Sequence, residues 1–194
     1  MKNIILSTII SILFLFEIQA QENYEVNLDK SSVFWIGEKV TGSHSGTINI
    51  SNALFLFEDE KLIGGEFEID MNSIRCTDIE NPKYAKKLED HLKDGDFFSS
   101  DKYPTSTFAI TKVIFDGTSY MITGDITIKD IKQEIIFPVQ FNSYGNTFQA
   151  DASIKIDRTK HDIKYGSGSF FDDLGDRMIY DEFTLKIHLE ANKK

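Results

Sequence analysis

The sequence predicts an all-β fold, a single antiparallel barrel of about eight strands with one short helical insertion. Three observations predict it. Runs that alternate strictly between apolar and polar residues recur along most of the chain, the mark of half-buried strands. Turn signals separate these runs at short intervals, a spacing that suits a barrel or a sandwich. One face of nearly every run is large and apolar while the other is polar, as a closed sheet requires when it turns one face into a lumen and the other into water.

The elements follow in order. Residues 1–20 read as a secretory leader: Lys2 is the lone positive charge, an apolar run covers 4–16, and Ile18-Gln19-Ala20 ends in a small residue. The run is too short for a membrane span of about 20 residues. The expected product, residues 21–194, is therefore one exported domain, periplasmic or else secreted, with no stable membrane span once the leader is removed. In Val33-Phe34-Trp35-Ile36 the apolar run is continuous and does not reveal which parity points inward. Trp35 is either lumen wall or barrel plug. Phe67, Ile69 and Met71 then oppose Glu66, Glu68 and Asp70. Asn81 can cap a helix over 83–93, with Pro82 at its first position and Asp94-Gly95 as its stop. Tyr84, Leu88 and Leu92 share one face of it. Phe108 and Ile110 open a strand whose parity slips near Lys112, where Val113 and Phe115 take over, as at a β-bulge.

Four clean alternations complete the chain. They are Tyr120, Ile122, Ile126 and Ile128; Ile135, Phe137, Val139 and Phe141; Phe148 through Ala150, Ala152 and Ile154 to Ile156; and Phe183, Leu185, Ile187 and Leu189. Turns are expected at Glu58-Asp59-Glu60-Lys61, Asp116-Gly117-Thr118, Lys129-Asp130 and Tyr144-Gly145-Asn146.

Composition excludes several functions. The chain has 21 Lys+Arg against 31 Asp+Glu, a net charge of −10, which argues against nucleic acid as a partner. One Cys excludes an intramolecular disulfide and a Cys-rich zinc site. The four His are far apart in sequence and form no H-x-x-x-H pattern. Asp172-Asp173-Leu174-Gly175-Asp176 lacks the spacing and the bidentate Glu of a calcium loop. Gly42-Ser43-His44-Ser45-Gly46 places His where a nucleophile elbow needs Ser. No catalytic set, cofactor or metal is therefore expected. The 16 Phe and 7 Tyr either fill the barrel or line a pocket for an apolar guest. Export without enzyme motifs favours the pocket.

Asp90-His91-Leu92, Asp96-Phe97-Phe98, Tyr103-Pro104-Thr105 and Phe108, in that order, resemble the signature of the YceI-like family. Thr123-Gly124-Asp125-Ile126-Thr127-Ile128, Ile135-Ile136-Phe137-Pro138-Val139 and Ile156-Asp157-Arg158-Thr159 continue the resemblance, which covers 24–191. It implies a lipocalin-like barrel, exported and associated with polyisoprenoid and other long-chain lipids, and it suggests a homodimer. The chain departs from the family at Asp29-Lys30-Ser31-Ser32, which has no His, at Gly42 to Gly46, and at Tyr165 to Phe171, which looks added near the barrel mouth.

The expected function is to sequester or carry one long apolar lipid (a polyisoprenoid, quinone or fatty amide). The isoprenoid or acyl chain gains about 0.8 kcal/mol per buried CH₂. The expected wall comprises Trp35, Phe67 and Ile69; Phe108, Ile110, Ile126 and Ile128; Phe137, Val139, Phe148 and Ile154; and Phe183 with Leu185. His91 either meets a head group or fixes the helix through backbone bonds. Arg158 either meets a head-group oxygen or pairs with a nearby Asp. Cys76 is expected to be small and buried, or at a strand end. Two rivals are an enzyme using His91 or His44, and a solid-cored barrel that works through its surface.

Overall fold

The computed structural model describes residues 21–193 apart from Glu60 and Thr118. The leader expected in 1–20, and the Glu60 and Thr118 parts of two expected turns, lie outside the described residues. Nine strands and one α-helix are found among them. They are β1 (Gln21–Val26), β2 (Ser32–Lys39), β3 (Gly42–Glu58), β4 (Lys61–Cys76), α1 (Pro82–Lys93), β5 (Thr105–Phe115), β6 (Tyr120–Ile128), β7 (Ile131–Tyr144), β8 (Thr147–Asp157) and β9 (Ile179–Lys193). A short 3₁₀ turn, Arg158–His161, follows β8, and a second, Gly175–Arg177, precedes β9.

Strands β2 to β9 pair antiparallel in chain order and close into an eight-stranded barrel where β9 meets β2, Val33 opposite Ile187 and Trp35 opposite Leu185. The ninth strand completes the seam. β1 lies between the far ends of β3 and β9, with Tyr24 opposite both Phe55 and Lys193. β1 and β2 thus act as one strand interrupted at 27–31. Glu190 of β9 bridges the interruption: its carbonyl accepts from Asn27 N–H (2.7 Å), its own N–H donates to Ser31 Oγ (3.0 Å), and its carboxylate holds Lys30 Nζ at 2.6 Å.

Alternation fixes the interior. Ile122, Gly124, Ile126 and Ile128 of β6 are all buried, and Phe137 and Val139 of β7 join them. The expected bulge falls where β5 passes from Ile110, opposite Gly124, to Lys112, opposite Thr123. It returns Val113 to the core but not Phe115, which is 55% exposed against the Tyr120 ring. The β6–β7 turn holds Lys129 and Asp130 at φ 53° and 60°, the type I′ geometry whose twist matches the flanking strands.

Asn81 caps α1 by accepting from Lys83 N–H (3.0 Å). The helix buries Ala85 and lays Leu88 and Leu92 over the barrel end. Tyr84 is a correction to the expected face: it is 62% exposed, because the buried stripe runs through Ala85 at helical spacing rather than through Tyr84. The helix stops on Asp94 in an extended conformation, its side chain accepting from Asp96 N–H (2.8 Å). Gly95 is not used as a left-handed cap, since its φ is not positive.

At Gly46, β3 passes under the Trp35 indole, whose Nε1–H donates to the carbonyls of Thr47 (3.3 Å) and Arg75 (3.2 Å). A Cβ there would lie 1.8 Å from the Arg75 carbonyl oxygen. Gly46→Ala should therefore lower stability by about 3 kcal/mol, read as a drop in the urea midpoint with unchanged slope. A midpoint equal to the wild type would remove this contact from the account.

Candidate functional site

One end of the barrel is solid. Phe148 stacks on Phe141 with ring centroids 4.7 Å apart and meets Phe57 edge-on at 4.9 Å. Tyr24, Phe55 and Tyr120 complete this aromatic floor. Edge-to-face packing of this kind fills space densely without leaving polar groups unsatisfied.

Above the floor the interior is hollow. A cavity of about 270 Å³ runs from Phe55 and Phe141 toward the opposite end, close to the lower limit of small-molecule sites, about 300 Å³. Two small residues on β8, Ala150 and Ala152, help leave this space, as does Gly124, over which the Phe108 ring lies. The far end reaches polar groups: Glu38, Lys39 and His44 of the β2–β3 hairpin, and Glu182 of β9. Glu38, Lys39 and Glu182 are exposed, so this end is the rim. Leu88, Leu92, Phe97 and Phe98 close part of it.

Of the expected wall, every residue but Phe148 borders this cavity. Phe148 belongs to the floor, one layer too deep, because alternation fixes a side chain's face and not its depth. Trp35 and Val33 point inward, which settles the parity of β2, and Phe34 and Ile36 face outward. The sequence reading missed Phe55 and the rest of β3. In Ala53-Leu54-Phe55-Leu56-Phe57 both faces are apolar, Leu54 and Leu56 being half-buried outside, so no alternation marks the strand.

The polar candidates are mostly structural. Arg158 is 4% exposed and borders the cavity. Its Nε donates to the Tyr180 carbonyl (3.1 Å), Nη1 to Ile163 (2.8 Å) and Nη2 to Ile179 (3.0 Å), with Asp181 Oδ1 at 3.7 Å. Burial pushes its guanidinium below the ordinary value, opposed by Asp181 and Asp157. Three of the five N–H donors of a guanidinium thus staple the start of β9 to the loop after β8. His91 does not border the cavity. Its ring stands edge-on to Phe97 (4.9 Å) and Tyr165 (4.7 Å), with Nε2 3.7 Å from Asp96, and the helix is held to the barrel end through rings rather than through a backbone bond from this side chain.

His44 Nδ1 lies 3.0 Å from Asp78 Oδ2, while Asp78 Oδ1 is 3.1 Å from Cys76 Sγ and accepts from Ser45 N–H (3.1 Å). Cys76 ends β4, buried. Burial, then the Asp78 bond, push its thiol up, which disfavours the nucleophilic thiolate. At Asp78, burial raises the carboxyl, but the bonds from Cys76, Ser45 and His44 outweigh it and hold it low. Asp78 separates thiol from imidazole, so the trio clasps the hairpin to the segment before α1 and lacks the nucleophile–base contact of covalent catalysis. Donor atoms of His91, Asp94 and Asp96 lie within 4.8 Å of one another on the surface, but Asp94 Oδ1 already accepts from Asp96 N–H. Among the described residues, no helix is long and apolar enough to cross a membrane.

His161, 1% exposed, has Nδ1 3.0 Å from the Ile131 carbonyl beneath the β6–β7 turn. Burial pushes its pKa down, ahead of the upward pull of the Ile131 and Ile128 carbonyls. Below the ordinary imidazole value of about 6.5, the unfolded chain binds a proton that the folded chain resists, so stability falls on acidification. His161→Gln should flatten the fall in urea stability from pH 7.5 to 5.5 relative to wild type. Parallel curves for the two proteins would contradict this assignment.

A model of the YceI-like domain matches residues 24–191. A UPF0312 protein of Photorhabdus laumondii is 29% identical over 119 residues, 57% of this chain and 59% of its own length. The aligned region thus spans about three-fifths of the curated relatives it matches. Among solved structures, BcnA of Burkholderia cenocepacia is 26% identical, with a TM-score of 0.71, covering 87% of this chain and all of its own. A polyisoprenoid binding domain from Saccharophagus degradans, implicated in plant cell wall breakdown, shares the fold at 12% identity and a TM-score of 0.63, covering 88% of this chain and 98% of its own.

Proposed function

We propose that this chain, which belongs to the YceI-like domain family, is a lipid-binding barrel that takes one long-chain apolar molecule tail-first into its lumen. The observation that carries the reading is a hollow, apolar interior with a packed aromatic floor and a polar rim. Each CH₂ moved from water into that interior contributes about 0.8 kcal/mol, so a single isoprenoid or acyl chain is held without specific chemistry. The binding of polyisoprenoid by a protein of the same fold supports this class of guest. Arg158 borders the cavity with three of its donors already bonded to carbonyls and Asp181 at 3.7 Å, so the guest is held by its apolar chain and not by a charged head group. The reading is of a binder and not of an enzyme, and it takes the protein as exported, to the periplasm or beyond, as the first twenty residues suggest.

Native mass spectrometry of protein taken from its own host tests the reading. The expected spectrum carries an added mass that organic solvent releases as a chain lipid. A bare chain that also fails to take up a long-chain fatty probe would end it. The only Trp of the chain, Trp35, borders the cavity, so its fluorescence reports occupancy directly. Phe137→Asp should abolish uptake by placing a carboxylate in the wall. Ala152→Phe adds bulk without charge and should weaken binding at least tenfold while the fold survives. Uptake unchanged in both folded variants would mean that the guest sits elsewhere.

A further inference from the structure

The loop that joins β8 to β9 stands at the open end of the barrel. It touches both of the other elements of the rim. Tyr165 packs on His91 and Phe97 beside α1, and the Met178 carbonyl accepts from Val40 N–H (3.1 Å) at the tip of the β2–β3 hairpin. From this loop two adjacent aromatic residues project: Phe170 is 50% and Phe171 51% exposed. Val40, Tyr165 and Tyr180, each about as exposed, lie on the same end. Exposed apolar groups gathered in one place mark an interaction site more than single ones do.

The two rings are held outward by a built scaffold. The carbonyl of Ser167, which is fully buried, accepts from the N–H groups of both Phe170 (3.2 Å) and Phe171 (3.0 Å). Ser167 Oγ accepts from Ser169 N–H (3.2 Å), and Ser169 Oγ donates to Asp181 at the start of β9. Gly166 at φ 63° closes the base of the loop, its carbonyl accepting from Ile179 N–H (2.8 Å). Lys164 Nζ lies 5.1 Å from the Phe170 ring centroid and is held by Asp162 Oδ1 at 2.6 Å, so the charge beside the ring is already neutralised within the loop. Ile114 and Phe115, by contrast, lie at the far end of β5, beside the connection to β6.

We propose that Phe170 and Phe171 are a membrane anchor that seats the rim of the barrel on a zwitterionic lipid bilayer. Aromatic side chains favour the bilayer interface, where an apolar body meets a polar boundary. The charges of the loop cancel, Arg158, Lys160, Lys164 and Arg177 against Asp162, Asp172, Asp173 and Asp176, and the chain as a whole carries −10. A zwitterionic surface therefore suits it and an anionic one repels it. Seated so, the open lumen faces the acyl layer, and an apolar guest passes between them without crossing water. That last step rests on the lipid-binding reading; the anchoring itself does not.

The test is flotation of the full mature chain with phosphatidylcholine vesicles, for wild type and Phe170→Ser/Phe171→Ser. Wild type is expected to float with the vesicles, and the double variant to partition at least tenfold more weakly. Replacing part of the phosphatidylcholine by phosphatidylglycerol should weaken wild-type flotation. A fluorescent fatty acid supplied in ethanol should fill both proteins alike, whereas its transfer from vesicles should be at least tenfold slower in the variant. Wild type that does not float, or a variant that floats equally well, overturns the anchor. A Phe-dependent dimer on size exclusion without flotation also overturns it, assigning the rings to a second copy of the chain. If flotation depends on the rings while the probe enters neither protein, the anchor stands and the lumen reading fails.

Discussion

A closed sheet has no free edge, and that closure governs everything else in this molecule. Backbone N–H and C=O groups in the ring pair with neighbouring strands, and side chains point alternately into the lumen and outward except at the bulges of β3, β4 and β5. The seam is the delicate place. There the ring is completed by two short strands, β1 and β2, instead of one long one, and Glu190 supplies the bonds that the break at 27–31 would otherwise forfeit. The carboxylate is held low by the Lys30 bond, against the raising effect of burial.

Hollowness follows from where bulk is placed along the barrel axis. At one end six aromatic rings interlock. Above them, two alanines on β8 and a glycine on β6 stand among larger wall residues such as Phe67, Phe108 and Phe137, and the eight-stranded cross-section keeps room for one small ligand. The groups that look most chemical are meanwhile engaged in holding the rim together. Arg158 ties three carbonyls, Asp78 joins the hairpin to the segment before α1, and His161 sits under a tight turn. A site whose polar residues are thus occupied is suited to holding a guest and not to transforming one.

Much of this was legible in the residues. The alternations of β6 to β9, the Asn81-Pro82 cap and the slip at Lys112 each follow from local rules, and the structure places them as those rules require. What escaped the reading is what local rules do not encode. The continuous apolar run at 53–57 conceals a strand whose outer face is also half-buried. Phe148 has the right face and the wrong depth, since depth depends on strand stagger around the whole ring. Tyr84 fits a helical stripe as well as Ala85 does, and only the docked orientation of α1 chooses between them. The Asp expected to pair with Arg158 is Asp181, at 3.7 Å, but its nearer partners are the main-chain carbonyls of Ile163, Ile179 and Tyr180, which leave no trace in the side-chain sequence.

The packed aromatic end has a geometric consequence. For the tail-first guest proposed above, a passage sealed at the bottom and open at the top would act as a ruler: its methyl terminus would stop against Phe141 and Phe55, and length would be measured from there. Short chains would be swallowed whole, whereas longer ones would leave their surplus carbons standing beyond Glu38 and Glu182. Moving the stop, by enlarging or trimming a single ring, would reset the length at which a guest begins to protrude.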